Sequence, residues 1–166
     1  MTSKSTTTYL FDWGDTLMVD FKHFEGKMCD WPEVRLVEHA ETVLSTLRRN
    51  HQIYLATNAR DSSLTDIQRC FERVGLAQYL SGYFCYDTLG VGKGSDQFFT
   101  RIIDHLDIPP NQIVMVGDNY QTDVESAIKA GIYGIWFNPL GHETQGTLPS
   151  NVQQIHHLTE LLNPVL

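Results

Sequence analysis

Few features in this chain of 166 residues mark a secreted, membrane-bound or nucleic-acid-binding protein. Its three cysteines, Cys29, Cys70 and Cys85, are odd in number, far apart and never in a CxxC pair. That pattern argues against a disulfide framework and leaves zinc without ligand spacing, so free thiols in a reducing compartment are expected. Positive charge is scarce too: 12 Lys and Arg stand against 20 Asp and Glu, a formal charge of -8. Such a balance repels phosphate backbones, so no nucleic-acid-binding surface is expected. A phosphorylated ligand stays open, because a bound divalent cation reverses the local field. No apolar run is long enough to span a bilayer, and Met1 to Thr8 is polar, without the apolar core of a signal peptide. The expected setting is the cytoplasm, with no membrane partner. No repeat, low-complexity stretch or linker interrupts the chain, and its length suits one domain over 1–166.

What is present is an alternation of short apolar runs with amphipathic stretches. Strands are predicted at Tyr9–Trp13, Gln52–Thr57, Tyr83–Tyr86, Gln112–Val116, Tyr133–Phe137 and Val152–Ile155. Between the first two lies a polar and aromatic loop or hairpin, 18–31. Asp30 and Glu33 then have capping-box spacing with Pro32 in the first turn, predicting a helix whose buried face carries Val34, Val37, Ala40, Val43, Leu44 and Leu47. Asp61 or Ser62 is expected to cap the next helix, with Leu64, Ile67, Phe71 and Val74 inward and Gly75 as its stop. Ser95 caps a helix bearing Phe98, Phe99, Ile102, Ile103 and Leu106, which Pro109–Pro110 ends. A helix at 122–130 and a short terminal one at 159–162 complete the order. Alternating elements predict an α/β fold of three layers, Rossmann-like, with a central parallel sheet. Ligands of such sheets bind beyond the carboxyl ends of the strands, so the chemistry is expected there.

Three strand ends carry it. Asp12-Trp13-Gly14-Asp15-Thr16 follows the first strand, Thr57-Asn58-Ala59-Arg60 the second, and Gly117-Asp118-Asn119-Tyr120-Gln121-Thr122-Asp123 the fourth. Carboxylates converging on one edge repel, and a hard divalent cation is the natural compensation. Magnesium suits the role, since it accepts few carboxylates and engages phosphate oxygens.

With Val91-Gly92-Lys93-Gly94 added, these segments resemble, in order over about residues 9–140, the four motifs of the haloacid dehalogenase superfamily. The resemblance implies a magnesium-dependent hydrolase, most often a phosphatase, with Asp12 as nucleophile and an aspartyl-phosphate intermediate. It places Thr57, Asn58 and Lys93 on the phosphoryl group. It places the cation on Asp12, the Gly14 carbonyl and Asp118, with Asp123 supporting the metal site. It also implies a core without a separate cap domain, because the intervals that would hold one contain little beyond core elements and the 18–31 flap. Capless members take phosphorylated small molecules or macromolecules, and some close the site with a neighbouring subunit, so a homo-oligomer is among the expected partners.

One position departs from the pattern. Most phosphatases of the family carry a second aspartate two residues after the nucleophile, where it protonates the leaving oxygen; here that residue is Gly14. Losing a general acid costs about 10²–10⁴ in rate. Asp15 either turns inward to replace it, as a kink at Gly14 would permit, or caps the turn. Two further readings stay open: a catalytically weak or inactive phosphate-binding protein, and cleavage of a carbon–phosphorus or carbon–halogen bond. Lys22, His23, Lys27, Trp31 and Arg60 could reach substrate, or could be solvated charges and a packing tryptophan. His156–His157 reads as a surface pair, and Tyr120 either shapes the site or packs.

Overall fold

The computed structural model describes residues 6–144 and 146–163. Six parallel strands form one sheet: β1 (Thr8–Phe11), β2 (Gln52–Ala56), β3 (Gly82–Phe84), β4 (Ile113–Gly117), β5 (Tyr133–Phe137) and β6 (Val152–Ile155), in the order β3-β2-β1-β4-β5-β6. Every pairing is parallel, with Phe11 opposite Leu55 on one side and Val116 on the other. The strands are short and apolar because both faces are covered. Alternate residues feed different layers. Tyr9, Phe11, Ile53, Leu55, Val114 and Val116 join one core cluster, while Leu10, Ala56, Ile113 and Met115 join another. Helices α1 (Ala40–Leu47) and α2 (Leu64–Arg73) bury Val43, Leu44, Ile67, Cys70 and Phe71 against the first. Helices α4 (Gln97–Leu106) and α5 (Ser126–Lys129) bury Phe98, Phe99, Ile102 and Ala127 against the second. The result is the expected three-layer α/β fold. Among the described residues no separate cap domain is inserted.

The helix expected from Asp30 and Glu33 is not there. Residues 34–37 run extended instead, because their backbone groups are already taken: Val19 N donates to the Arg35 carbonyl and Val37 N to the Leu17 carbonyl, both at 2.9 Å. Met18 forms an isolated antiparallel bridge to Leu36. β-Branched valines at 34 and 37 tolerate that conformation well. Helix α1 begins only at Ala40, after His39 in a left-handed conformation. The pairing pinches the base of the 18–31 loop.

The cap of α2 is Ser63 rather than Asp61 or Ser62. Ser63 and Asp66 form a reciprocal capping box, and Gly75 follows the helix at φ 75°. After β3 comes an unforeseen short helix, α3 (Tyr86–Leu89), entered where Cys85 N donates to Thr88 Oγ1. Ser95 accepts from Gln97 N at the entry to α4. The helix expected at 122–130 starts earlier, as a wide π-helical turn over Tyr120–Glu125 that runs into α5.

Candidate active site

The sheet order changes direction between β1 and β4, and the loops after these two strands meet there. The Asp12 amide donates to the Val116 carbonyl at 2.9 Å, extending the ladder one step past β1. Asp12 is thereby set beside Gly117 and Asp118. Ligand atoms from Asp12, Asp118 and Asp123 all lie within 4.8 Å of one another. Lys93 reaches them from the loop before α4. Its Nζ pairs with Asp12 Oδ1, and with Asp123 Oδ1 at 2.7 Å. Both Lys93 and Asp123 are almost fully buried, 2 % and 1 % exposed.

One buried cation faces three carboxylates. Burial works against the charge on Lys93, yet Asp12 and then Asp123 outweigh it and hold the ammonium above its ordinary pKa. Burial, followed by the charge of Asp12, pushes Asp118 up to about 7. The same two causes push Asp123 to about 6, although Lys93 opposes them. The cluster thus holds more negative charge than its lysine neutralises, and three hard oxygen donors within reach of one point fit a divalent cation.

Close packing fixes these groups. A Cβ on Gly117 would fall 2.2 Å from Asp123 Oδ2, so only glycine lets Asp123 lie against β4. A Cβ on Gly92 would fall 2.4 Å from Asn58 Oδ1, the atom that accepts from Lys93 N at 3.0 Å. Asn119 N donates to Asp123 Oδ2 at 3.1 Å. Trp136 Nε1 donates to the Asp118 carbonyl at 2.9 Å, while Tyr120 packs edge-on against Trp136.

Of the residues singled out from sequence, Asp12, Lys93, Asp118 and Asp123 are brought into one cluster. Asn58 is bonded to the Lys93 backbone. Thr57, buried at the end of β2 beside β1, accepts from Ala59 N at 3.3 Å. Gly14 lies in the turn after Asp12. Thr16 was legible only as a motif letter, yet its buried hydroxyl stands 3.3 Å from both Asp12 Oδ2 and Asp118 Oδ1 and accepts from Asp118 N at 3.2 Å. A hydroxyl has a single proton, so it serves one of the two carboxylates at a time.

Asp15 takes the turn-capping arrangement. Its Oδ1 accepts from Asp20 N at 2.9 Å, and its other oxygen lies 3.5 Å from Lys22. The space left by Gly14 is bordered by Asp20, whose Oδ2 lies 3.8 Å from where a Cβ would stand. The other candidate contacts are mostly committed elsewhere. Lys27 pairs with Asp66 of α2 at 2.6 Å, Trp31 is buried with its ring N–H on the Glu25 and Gly26 carbonyls, and His23 packs on Phe24. Arg60 lies over the exposed Tyr86 ring.

A doubly wound parallel sheet with a carboxylate–lysine cluster at its switch point defines a Rossmann-like α/β protein, and the three carboxylates could hold a metal ion. The haloacid dehalogenase-like hydrolase family model matches residues 11–131, and the chain belongs to that family. It is 29 % identical over 126 residues to the pyrimidine 5'-nucleotidase YjjG of Escherichia coli, covering 74 % of this chain and 55 % of that one. It is 32 % identical over 104 residues to a phosphoserine phosphatase of Thermus thermophilus, covering 61 % and 40 %. The chain therefore spans about half the length of the curated relatives it matches. In fold it is similar to an uncharacterized protein from Listeria monocytogenes, with TM-score 0.78, 24 % identity and 93 % of both chains covered. It is likewise similar to the HAD-hydrolase YfnB of Bacillus subtilis bound to magnesium, with TM-score 0.76, 15 % identity and coverage of 95 % and 97 %.

Proposed function

We propose that the protein is a magnesium-dependent phosphohydrolase acting through an aspartyl phosphate on Asp12, within a single domain over 1–166. The observation that carries this reading is the contact of Asp12 with Lys93 inside the Asp12–Asp118–Asp123 cluster. Lys93 pairs with one Asp12 oxygen and so aims the carboxylate, leaving the other oxygen to attack phosphorus. The P–O bond to the leaving group breaks, and water then attacks phosphorus and releases phosphate from Asp12. Lys93 and the Thr57 hydroxyl offset charge on the phosphoryl oxygens, and Asn58 holds the Lys93 backbone in place. Asp12, the Gly14 carbonyl and Asp118 would hold magnesium, with Asp123 steadying Lys93 and the loop; the ion would supply Lewis-acid charge for the phosphoryl group.

The relatives named above are a nucleotidase and a phosphatase, which supports phosphorylated small molecules as substrates. No helix of the described residues is long and apolar enough to cross a membrane. The cytoplasmic assignment rests on the three free, buried thiols. The test is phosphate release from an aryl phosphate with magnesium. Wild type turns over and Asp12→Asn does not; silence of the wild type across a broad panel would overturn the reading.

Gly14 favours a second reading, a phosphate-binding protein without turnover. There, magnesium and vanadate would raise the melting temperature by mass action while no ester is hydrolysed.

A further inference from the structure

We propose that the cavity beside Asp118 is the leaving-group pocket of this site, and that it takes an uncharged, hydroxyl-bearing group of sugar or nucleoside size. The proposal rests on the phosphohydrolase reading and adds the substrate class. The cavity has a volume of about 580 Å³ and is bounded by Asp118 and Asp15, so it shares a wall with the carboxylate cluster. That volume lies within the roughly 300–1,000 Å³ typical of small-molecule sites. Val37, Phe137 and Leu158 give it an apolar floor, and Leu140 stands at its rim, 80 % exposed.

Its polar wall is built rather than incidental. Asn138, 1 % exposed, closes the loop after β5: its side chain donates to the His142 carbonyl and accepts from His142 N, both at 2.9 Å. Its own amide donates to the Ile155 carbonyl of β6 at 2.8 Å. His156 Nδ1 lies 2.7 Å from the Asn138 carbonyl, which can only accept, so Nδ1 carries the proton and Nε2 is left to accept from the Gln154 amide at 3.3 Å. Glu160 accepts from the amides of both His156 and His157, at 2.7 and 2.8 Å. Two loops are thereby clamped, and positions fixed in this way hold a ligand in one orientation.

The groups left over set the chemistry. Among the described residues the His142 ring has no partner, and the His39 ring faces only Glu38, at 3.3 Å. No lysine or arginine lines the cavity among the described residues, while Asp15, Glu38 and Asp118 do. A second phosphate or a carboxylate on the substrate would meet these acids, and Lys22, the cation beside Asp15, is already paired with Asp15 and Asp20. Hydroxyl groups, which both donate and accept, would find imidazole nitrogens of either kind and carboxylate oxygens that accept. The apolar floor suits the ring face of a sugar or nucleoside.

The experiment compares KM and kcat/KM of the full chain with magnesium on four substrates: acetyl phosphate, a hexose 6-phosphate, a nucleoside 5'-monophosphate and a hexose bisphosphate. One of the two monophosphates is expected to have a KM tenfold or more below that of acetyl phosphate, and which one distinguishes sugar from nucleoside. KM is compared because an acyl phosphate leaves without a general acid and an alkyl ester does not. The bisphosphate is expected to fall below its monophosphate. His142→Ala removes a hydrogen bond made to the leaving group, so KM for the preferred ester rises roughly 2–12-fold with little change in kcat. Leu140→Arg, at an exposed position, brings a cation to the rim and raises the bisphosphate relative to the monophosphate. The pocket assignment is overturned if acetyl phosphate is hydrolysed but neither monophosphate has the lower KM, or if the bisphosphate matches its monophosphate, or if His142→Ala leaves KM unaltered. Absence of acetyl phosphate hydrolysis would instead sink the phosphohydrolase reading, and the pocket with it.

Discussion

Asp123 lies flat against Gly117 because nothing projects from that glycine, and its carboxylate is shared between Lys93 and the Asn119 amide. Gly117→Ala forces a methyl into that space, an overpacking that costs about 1–3 kcal/mol. The expected outcome is a lower melting temperature together with weaker magnesium binding, measured by thermal shift and calorimetry. Gly14 is the opposite case. A Cβ there meets Asp20 Cβ at 3.4 Å, an ordinary contact, so Gly14→Asp fits the turn. On the phosphohydrolase reading it supplies a carboxyl group near the leaving oxygen, and turnover of alkyl phosphates should rise tenfold or more, short of the roughly 10²–10⁴ a well-placed acid gives. If alkyl phosphates gain nothing, absence of a carboxyl at 14 does not limit the rate. The identities of Asp12, Lys93, Asp118 and Asp123 were legible because each sits in a short motif. The part of Thr16 was not, since a threonine in a turn reads first as a local hydrogen-bonder.

At the scale of elements, α2 and the 18–31 loop are joined through one side chain. Asp66 completes the capping box with Ser63 and pairs with Lys27 at 2.6 Å. The Lys27 ammonium, then the Ser63 amide and hydroxyl, hold its carboxyl far below the usual range. A depressed carboxyl stabilises the fold above its unfolded pKa, near 3.8, and that contribution is lost as pH falls further. Wild type should therefore be more stable than Asp66→Asn at pH 6, and the gap in melting temperature should close towards pH 2. Ser63→Ala should cost about 1 kcal/mol at neutral pH, or about 2–4 °C in a domain of 150–250 residues. The strands were read nearly to the residue, since an apolar run between turns has little freedom. The false start at Asp30 shows the limit. Capping-box spacing is local, whereas the partners that keep 34–37 extended, Leu17 and Val19, lie on the far side of the 18–31 loop.

For the whole molecule, the cluster between β1 and β4 sets stability against charge. Asp118 is raised by burial and by Asp12, so its folded pKa lies above its unfolded one. Its contribution is then fully present below the unfolded pKa and is lost as pH rises through about 7. Metal-free Asp118→Asn should consequently melt higher than metal-free wild type at pH 8, and the difference should shrink by pH 5. Magnesium should raise the wild-type melting temperature at pH 8 and do little for the variant. Equal responses from both proteins would remove Asp118 from the cation site.

Taken alone, the sequence determined the alternation of strands and helices, the parallel sheet, and the four segments carrying the reactive groups, because periodicity and motif spacing are local properties of a chain. The tertiary structure decided which of those groups touch. Lys93 meets Asp12 from 81 positions along the chain, and Asp118 meets Thr16 from 102. The structure also decided that Asp15 caps its turn and that His39, His142, His156 and His157 share one cavity. Convergence of this kind depends on strand order, and strand order is set by how the two faces of the sheet are buried, which no window of residues contains.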